Sequence, residues 1–394
     1  MKTTTAQVIA DGQKYVMNTY GRLPIVIDKG EGCYVWDLDG NKYLDLVAGI
    51  AVNSLGHGHP AVVQAIKEQS EQLLHCSNLY WIENQVNLAK LLVEKSGLGK
   101  AFFCNSGAEA NEAAIKLARK WGKGEKYHFV VMQKSFHGRT LGSLAATAQE
   151  KYQKPFMPLP EGFTAVPLGD LEALEAAIRP ETCAVMLEPI QGESGINVPS
   201  VEYMQGVRAL CDKYGILMIL DEVQAGLGRT GKPFAFQNFG IVPDIISLAK
   251  AIANGVPMGA IVAKDEVADC FQPGDHASTF GGTPIATAAG LAACNILLDD
   301  AFLANVQETG EYFRAELRAI GERHPGLIKE VRGLGLMIGC ELTGSSKEAA
   351  AELLKRGVLV NSIGEHVLRF VPPLTITKAE IDSFMPILED VLTK

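Results

Sequence analysis

Pro243-Asp244-Ile245-Ile246-Ser247-Leu248-Ala249-Lys250-Ala251-Ile252-Ala253-Asn254-Gly255 contains the residue around which the rest of the chain is organised. The apolar run from Ile245 to Ala249 has the length and composition of a buried strand, and it ends in an ammonium group. Desolvation disfavours the charged form of such a lysine, and the neutral amine attacks an aldehyde to form a Schiff base. Taken alone, a lysine that leaves the strand for solvent is the better reading. The stretches on either side of it change that.

Upstream, the predicted strand 216–220 runs into Asp221-Glu222-Val223-Gln224. A carboxylate such as Asp221, at the end of five apolar residues, is costly to keep charged without a cationic partner, and a protonated ring nitrogen would serve. The predicted strand 183–187 leads into Glu188-Pro189-Ile190-Gln191-Gly192-Glu193-Ser194-Gly195. Further back, a short strand at 101–105 is followed by Ser106-Gly107-Ala108-Glu109, which matches a capping box, with Ala110, Ala113, Ala114, Leu117, Ala118 and Trp121 on one helical face. Small residues at Gly107 and Ala108 leave the first helical amides open to a phosphate. After the strand at 127–132 comes Ser135-Phe136-His137-Gly138-Arg139-Thr140, where Phe136 offers a flat face to a ring and Arg139 a planar fork to a carboxylate. Downstream, a strand at 259–263 precedes His276-Ala277-Ser278-Thr279-Phe280-Gly281-Gly282-Thr283-Pro284, in which two hydroxyls beside a glycine pair make a flexible anion contact.

Strands alternating with helices predict parallel pairing in a three-layer α/β sandwich. Residues 24–47 alternate around turn signals and predict a small antiparallel ribbon, and 300–394 reads as a smaller α+β domain. The expected division is an N-terminal segment at 1–59 packing with the small domain, a large domain at 60–299 and a small domain at 300–394.

With 394 residues, 47% hydrophobic and 21% charged, the chain can bury a large core. A net charge of −9 without basic clusters argues against nucleic acid and an anionic membrane surface as partners. The eight cysteines contain no C-x-x-C pair, so neither a zinc site nor a redox dithiol is indicated. His57-Gly58-His59-Pro60 has no accompanying ligand cluster and reads as a turn into a helix rather than a metal site. Gly226-Leu227-Gly228-Arg229-Thr230-Gly231 fits the dinucleotide fingerprint, but Pro233 and a Phe/Gly stretch follow where a helix is required. The N-terminus lacks an apolar leader and no run approaches a membrane span, so a cytoplasmic location is expected.

Together these stretches resemble the class III, or omega-amino-acid, aminotransferases of the fold-type-I pyridoxal-phosphate enzymes, over nearly the whole chain and in the right order. Within that family, Gly49-Ile50-Ala51-Val52-Asn53-Ser54-Leu55-Gly56-His57-Gly58-His59-Pro60 and Leu368-Arg369-Phe370-Val371-Pro372-Pro373-Leu374 are most similar to the members that act on N-acetylornithine. The resemblance implies a mostly parallel central sheet and pyridoxal 5′-phosphate bound to Lys250, which also serves as general base. It implies that Asp221 pairs with the pyridinium nitrogen, that Phe136 and Val223 sandwich the ring, and that Gln224 bonds the phenolic oxygen. It further implies that the Gly107 and Ala108 amides hold the phosphate from one subunit, with Thr279 reaching it from the neighbour. The same resemblance implies that Arg139 binds a substrate carboxylate, that Ser278 touches the acetylated donor, that Arg369 takes the α-carboxylate of 2-oxoglutarate and that Tyr20 lines the entrance. Arg369 would draw the donor's own carboxylate to the wrong place unless neutralised, and Glu193 is the expected partner. The implied reaction, in a homodimer, moves the terminal amino group of N2-acetylornithine to 2-oxoglutarate. Succinylornithine, succinyl-diaminopimelate, ornithine and GABA remain open as donors, and a nicotinamide dehydrogenase or an aminomutase is an alternative of another kind.

Overall fold

The computed structural model describes residues 3–394. The first strands, β1 (Ile27–Glu31), β2 (Tyr34–Asp37) and β3 (Lys42–Asp45), form the expected antiparallel ribbon. Next come β4 (Lys100–Cys104), β5 (His128–Met132), β6 (Phe163–Val166), β7 (Thr182–Leu187), β8 (Leu217–Asp221), β9 (Ile245–Leu248) and β10 (Gly259–Ala263), which build a central sheet in the order β4-β10-β9-β8-β7-β5-β6. The chain closes with β11 (Ile328–Leu334), β12 (Met337–Leu342), β13 (Val358–Leu359), β14 (Asn361–Ile363) and β15 (Val367–Phe370). Of these, β13 joins the ribbon, parallel to β3, and the others form the sheet β11-β12-β15-β14.

In the central sheet, β6, β5, β7, β8 and β9 pair in parallel, each connected by a crossover. The exception is β10, antiparallel to both β9 and β4. Between β9 and β10 lies a short 3-10 turn, Lys250–Ala253, with too little chain for a crossover, so the strand returns in the opposite sense. Every residue of β5, β7, β8, β9 and β10 is buried. Alternate residues divide between two cores. Val130, Val185, Met218 and Ile246 pack with Val207, Leu92 and Ala289, while Phe129, Met186, Ile219 and Ile245 pack against Ala110, Ala114 and Leu117. Helices Glu83–Ser96, Val201–Tyr214 and Pro284–Leu297 therefore cover one face and Gly107–Trp121 the other, which makes the three layers.

Two sequence features take on a structural meaning. Ala48, Gly49, Ile50 and Ala51 have φ values of 49°, 66°, 63° and 60°, a left-handed turn that L-residues rarely adopt in succession. Asp45 holds it: Oδ1 accepts from Val47 N and Ala48 N, and Oδ2 lies 2.8 Å from His57 Nε2. The Gly226–Gly231 stretch is a series of turns followed by a 3-10 helix, Ala235–Phe239, so no α-helix N-terminus is available to a pyrophosphate. Among the described residues no single helix is long and apolar enough to cross a membrane, and no cluster of three or more His, Cys, Asp or Glu side chains could hold a metal ion.

Candidate active site

A cavity of 390 Å³ opens where the C-terminal ends of β4, β5, β7, β8 and β9 meet, the edge at which open α/β sheets bind ligands. Lys250 borders it. The chain leaves β9 at Leu248, and Lys250 takes φ 49°, a left-handed conformation that a lysine keeps only under constraint from its surroundings. Burial pushes its amine down to about 8, against the opposing pull of Glu193.

Asp221, the last residue of β8, is 4% exposed and engaged through both oxygens. Its Oδ1 accepts from Val223 N at 3.0 Å, and its Oδ2 accepts from Asn111 Nδ2 and lies against His137 Nδ1, each at 2.7 Å. Burial alone would lower the His137 imidazole, but the hydrogen bond and charge of Asp221 outweigh it and the net shift is upward. A hydrogen-bonding partner for Asp221, an imidazole whose protonated form it favours, thus exists inside the chain, where the sequence reading had left the partner entirely to a ligand. On the neighbouring strand end, burial pushes Glu188 up to about 7, although its oxygens accept from Phe136 N and Gly192 N.

The helix Gly107–Trp121 presents its N-terminus to the cavity, with Ser106 as N-cap accepting from Glu109 N. The capping box is offset by one residue, because Glu109 Oε2 accepts from Asn105 N instead of closing on Ser106 N. Glycine at 107 answers a packing demand, since a Cβ there would stand 2.8 Å from Val223 Cγ1. Phe136, Val223 and Ala108 also line the cavity. Arg139 is exposed at its mouth, with its guanidinium carbon over the Tyr152 ring, 4.0 Å from the centroid.

Arg369, in β15, reaches the same cluster from the C-terminal sheet and is 2% exposed. Its Nη1 donates to Glu193 Oε1 at 2.6 Å, to Gly192 O at 3.0 Å and to Gln224 Oε1 at 3.2 Å, and Nη2 donates to Asn361 Oδ1 at 3.0 Å. Gln224 Nε2 donates to Glu193 Oε1 at 3.0 Å, so the glutamine expected at a phenolic oxygen is tied to the ion pair here. Burial would raise the Glu193 carboxyl, yet Arg369 and Lys250 hold it below the usual range.

Four expected residues are absent from the lining of their own chain's cavity: Arg369, which stands behind the lining residues Glu193 and Gln224, and Tyr20, Ser278 and Thr279. Tyr20 is exposed, with the Arg22 guanidinium over its ring. Thr279 is exposed, and Ser278 Oγ is occupied by Asn105 Nδ2 and Gly281 N. Sequence reasoning in turn missed roles for His137, Asn111, Glu188 and Tyr152. Asn111 carried a signal, as a polar residue within an otherwise alanine-rich buried helix face.

The residues fit a phosphorylated pyridine aldehyde. Open helix amides face the cavity, an aromatic and a branched aliphatic side chain line it, and a buried carboxyl group backed by an imidazole shares it with a low-pKa amine. Buried Asn111 Oδ1, in the wall, is without a partner among the described residues. A family model described as aminotransferase class-III matches residues 15–392. The chain is a class III aminotransferase. As an aminotransferase of this class it uses pyridoxal phosphate. It is 55% identical over 387 residues to an acetylornithine aminotransferase of Caldanaerobacter subterraneus subsp. tengcongensis, covering 97% of this chain and 98% of that one. Among solved structures it is similar to the ornithine aminotransferase of Toxoplasma gondii ME49, with a TM-score of 0.95, 33% identity and coverage of 100% and 96%. It is also similar to the acetylornithine aminotransferase of Elizabethkingia anophelis, with a TM-score of 0.87, 32% identity and full coverage of both chains.

Proposed function

We propose that the enzyme moves the terminal amino group of N2-acetylornithine to 2-oxoglutarate, giving N-acetylglutamate 5-semialdehyde and glutamate, as a cytoplasmic homodimer in arginine biosynthesis. The observation that carries this is the Arg369–Glu193 contact at 2.6 Å beside Lys250, in a chain whose relatives at about half identity are acetylornithine aminotransferases. Gly107 and Ala108 would hold the cofactor phosphate, Phe136 and Val223 the ring faces, and Asp221 the ring nitrogen, with His137 and Asn111 fixing the Asp221 carboxyl in place. When bound, the cofactor supplies an aldehyde that accepts an amino group and a protonated ring that draws electrons from the carbon carrying it.

The residues of the chain do the rest. Lys250 Nζ, with an amine near 8, exists partly neutral at physiological pH and takes the proton from the carbon that bears the donor's amine. Arg139, at the mouth, holds the donor's carboxylate, while Glu193 neutralises Arg369 so that the terminal amine is the one presented. In the second half of the cycle Glu193 releases Arg369, which then binds the α-carboxylate of 2-oxoglutarate in a planar fork. Ser278, Thr279 and Tyr20, all outside the cavity, are assigned to the cavity of a second copy. Asn78 Nδ2 ties the loop of Ser278 and Thr279, through Ser278 O and Gly281 O, to the apolar stretch Leu73–Trp81, where Trp81 is 93% exposed, and a partner subunit would cover this surface. The division at 59/60 and 299/300 is proposed with it.

The test is a panel of amines offered to the cofactor-loaded enzyme in single turnover, read by loss of the cofactor's visible absorbance. N-acetylornithine should react at least tenfold faster than ornithine, succinylornithine, succinyl-diaminopimelate or GABA at equal concentration. A faster reaction with any of these overturns the donor assignment.

A further inference from the structure

The Gly226–Gly231 stretch, rejected as a dinucleotide fingerprint, contains the largest fully buried side chain of the described residues, Arg229, at 1% exposure. A buried guanidinium ordinarily faces a carboxylate. Here every acceptor is neutral: Nη1 donates to Leu336 O at 3.1 Å and Pro372 O at 2.6 Å, and Nη2 donates to Ser54 Oγ at 3.0 Å. Burial pushes the group down to about 9, and it remains charged at neutral pH. The three partners belong to three separate segments, and all three brace β15. Leu336 immediately precedes β12, whose Gly339 pairs with Arg369, and Leu336 N returns a bond to Arg229 O at 3.0 Å. Pro372 lies three residues beyond Arg369. The segment that contains Ser54 bonds the exit of β15 twice, through Val371 N to Leu46 O and Leu374 N to Ser54 O. The junction is also closed sterically, because a Cβ on Gly335 would stand 2.5 Å from Thr230 C and 2.6 Å from Arg229 O.

We propose that Arg229 is a positioning residue for the oxo-acid half of the reaction, latching the C-terminal sheet and the 46–54 segment onto the loop after β8 so that Arg369 is held at a fixed position behind Glu193 and Gln224 in the cavity wall. Only a planar fork spans three acceptors in different segments, whereas a lysine offers its donors from one point. The inference rests on the reading of Arg369 as the group that takes the α-carboxylate. A loosened Arg369 misplaces the oxo acid, and an error of about 1 Å can cost on the order of a hundredfold in a positioned reaction.

The test uses the cofactor-loaded enzyme with Arg229→Lys, Ser54→Ala and, as reference, Arg369→Lys. Arg229→Lys should leave the visible absorbance and the donor half-reaction within twofold. It should raise KM for 2-oxoglutarate at least tenfold and speed hydrogen exchange at the amides of Leu336, Val371 and Leu374. Ser54→Ala, which removes one arm, should raise KM about threefold, and it decides the matter if Arg229→Lys does not fold. An unchanged KM and exchange pattern, or equal losses in both half-reactions, overturns the latch. If Arg369→Lys itself leaves KM unchanged, the carboxylate assignment fails instead, and exchange at Leu336 alone then decides whether the latch exists.

Discussion

At Lys250, backbone and side chain serve one end: a positive φ turns the residue out of β9, and the surrounding interior lowers its amine from the ordinary 10.5 to about 8. The neutral amine is the nucleophile. After removal of the cofactor, the rate of pyridoxal phosphate uptake should therefore climb as pH rises through about 8, and borohydride should then fix the cofactor to the peptide containing Lys250. Stopped-flow absorbance across pH checks this, and a climb centred above 10 would mean an unburied amine. Glu193 presents the second test at this scale. Its pairing with Arg369 is partly buried, and breaking it should cost about 1–3 kcal/mol in discrimination between half-reactions. Glu193→Ala is expected to keep cofactor binding, tighten the glutamate half-reaction and weaken preference for the terminal-amine donor. Equal change in both single-turnover rates would count against a gate.

Among the elements, the helix Gly107–Trp121 is the most tightly specified, with Ser106 as its cap, an alanine-rich face against the sheet and a glycine where it meets Val223. Alanine is ordinarily the better helix former by about 1 kcal/mol. Here Gly107→Ala should be unfavourable, because the added Cβ stands 2.8 Å from Val223 Cγ1 and overpacking of this kind costs about 1–3 kcal/mol. Val223 also lines the cavity, so the strain is expected to appear as a cofactor Kd at least tenfold higher, measured by fluorescence titration, with little change in helix content by circular dichroism. Unaltered affinity would show that the wall yields freely.

For the whole molecule, the placement of Thr279 is decisive. It is exposed and absent from the lining of its own cavity, on a loop bonded by Asn78 to the apolar stretch before Glu83. If a second copy receives it, mixing inactive Lys250→Ala subunits with subunits inactivated around Thr279 should restore activity, since each heterodimer then contains one intact site. Restored turnover after subunit exchange is the expected result. Demonstrated exchange without rescue would place each site within one chain.

Lys250, Asp221 and the Ser106 cap were legible from residues alone for a common reason. Each is a polar group at the end of a short apolar run, and runs that alternate with helices must bring their C-terminal ends to one sheet edge. Such signals are local, because periodicity and turn chemistry record what a segment does with its own neighbours. Which segments then meet is a matter of packing. Only the folded chain showed that His137 and Asn111 reach Asp221 from two other elements, that Gln224 is held between Glu193 and Arg369, and that Tyr20 and Thr279 lie outside their own cavity. The same holds for Gly226–Gly231, whose glycines matched a phosphate loop. In the fold this stretch carries a buried arginine to carbonyls more than a hundred residues further along the chain, contacts that no spacing within the stretch encodes.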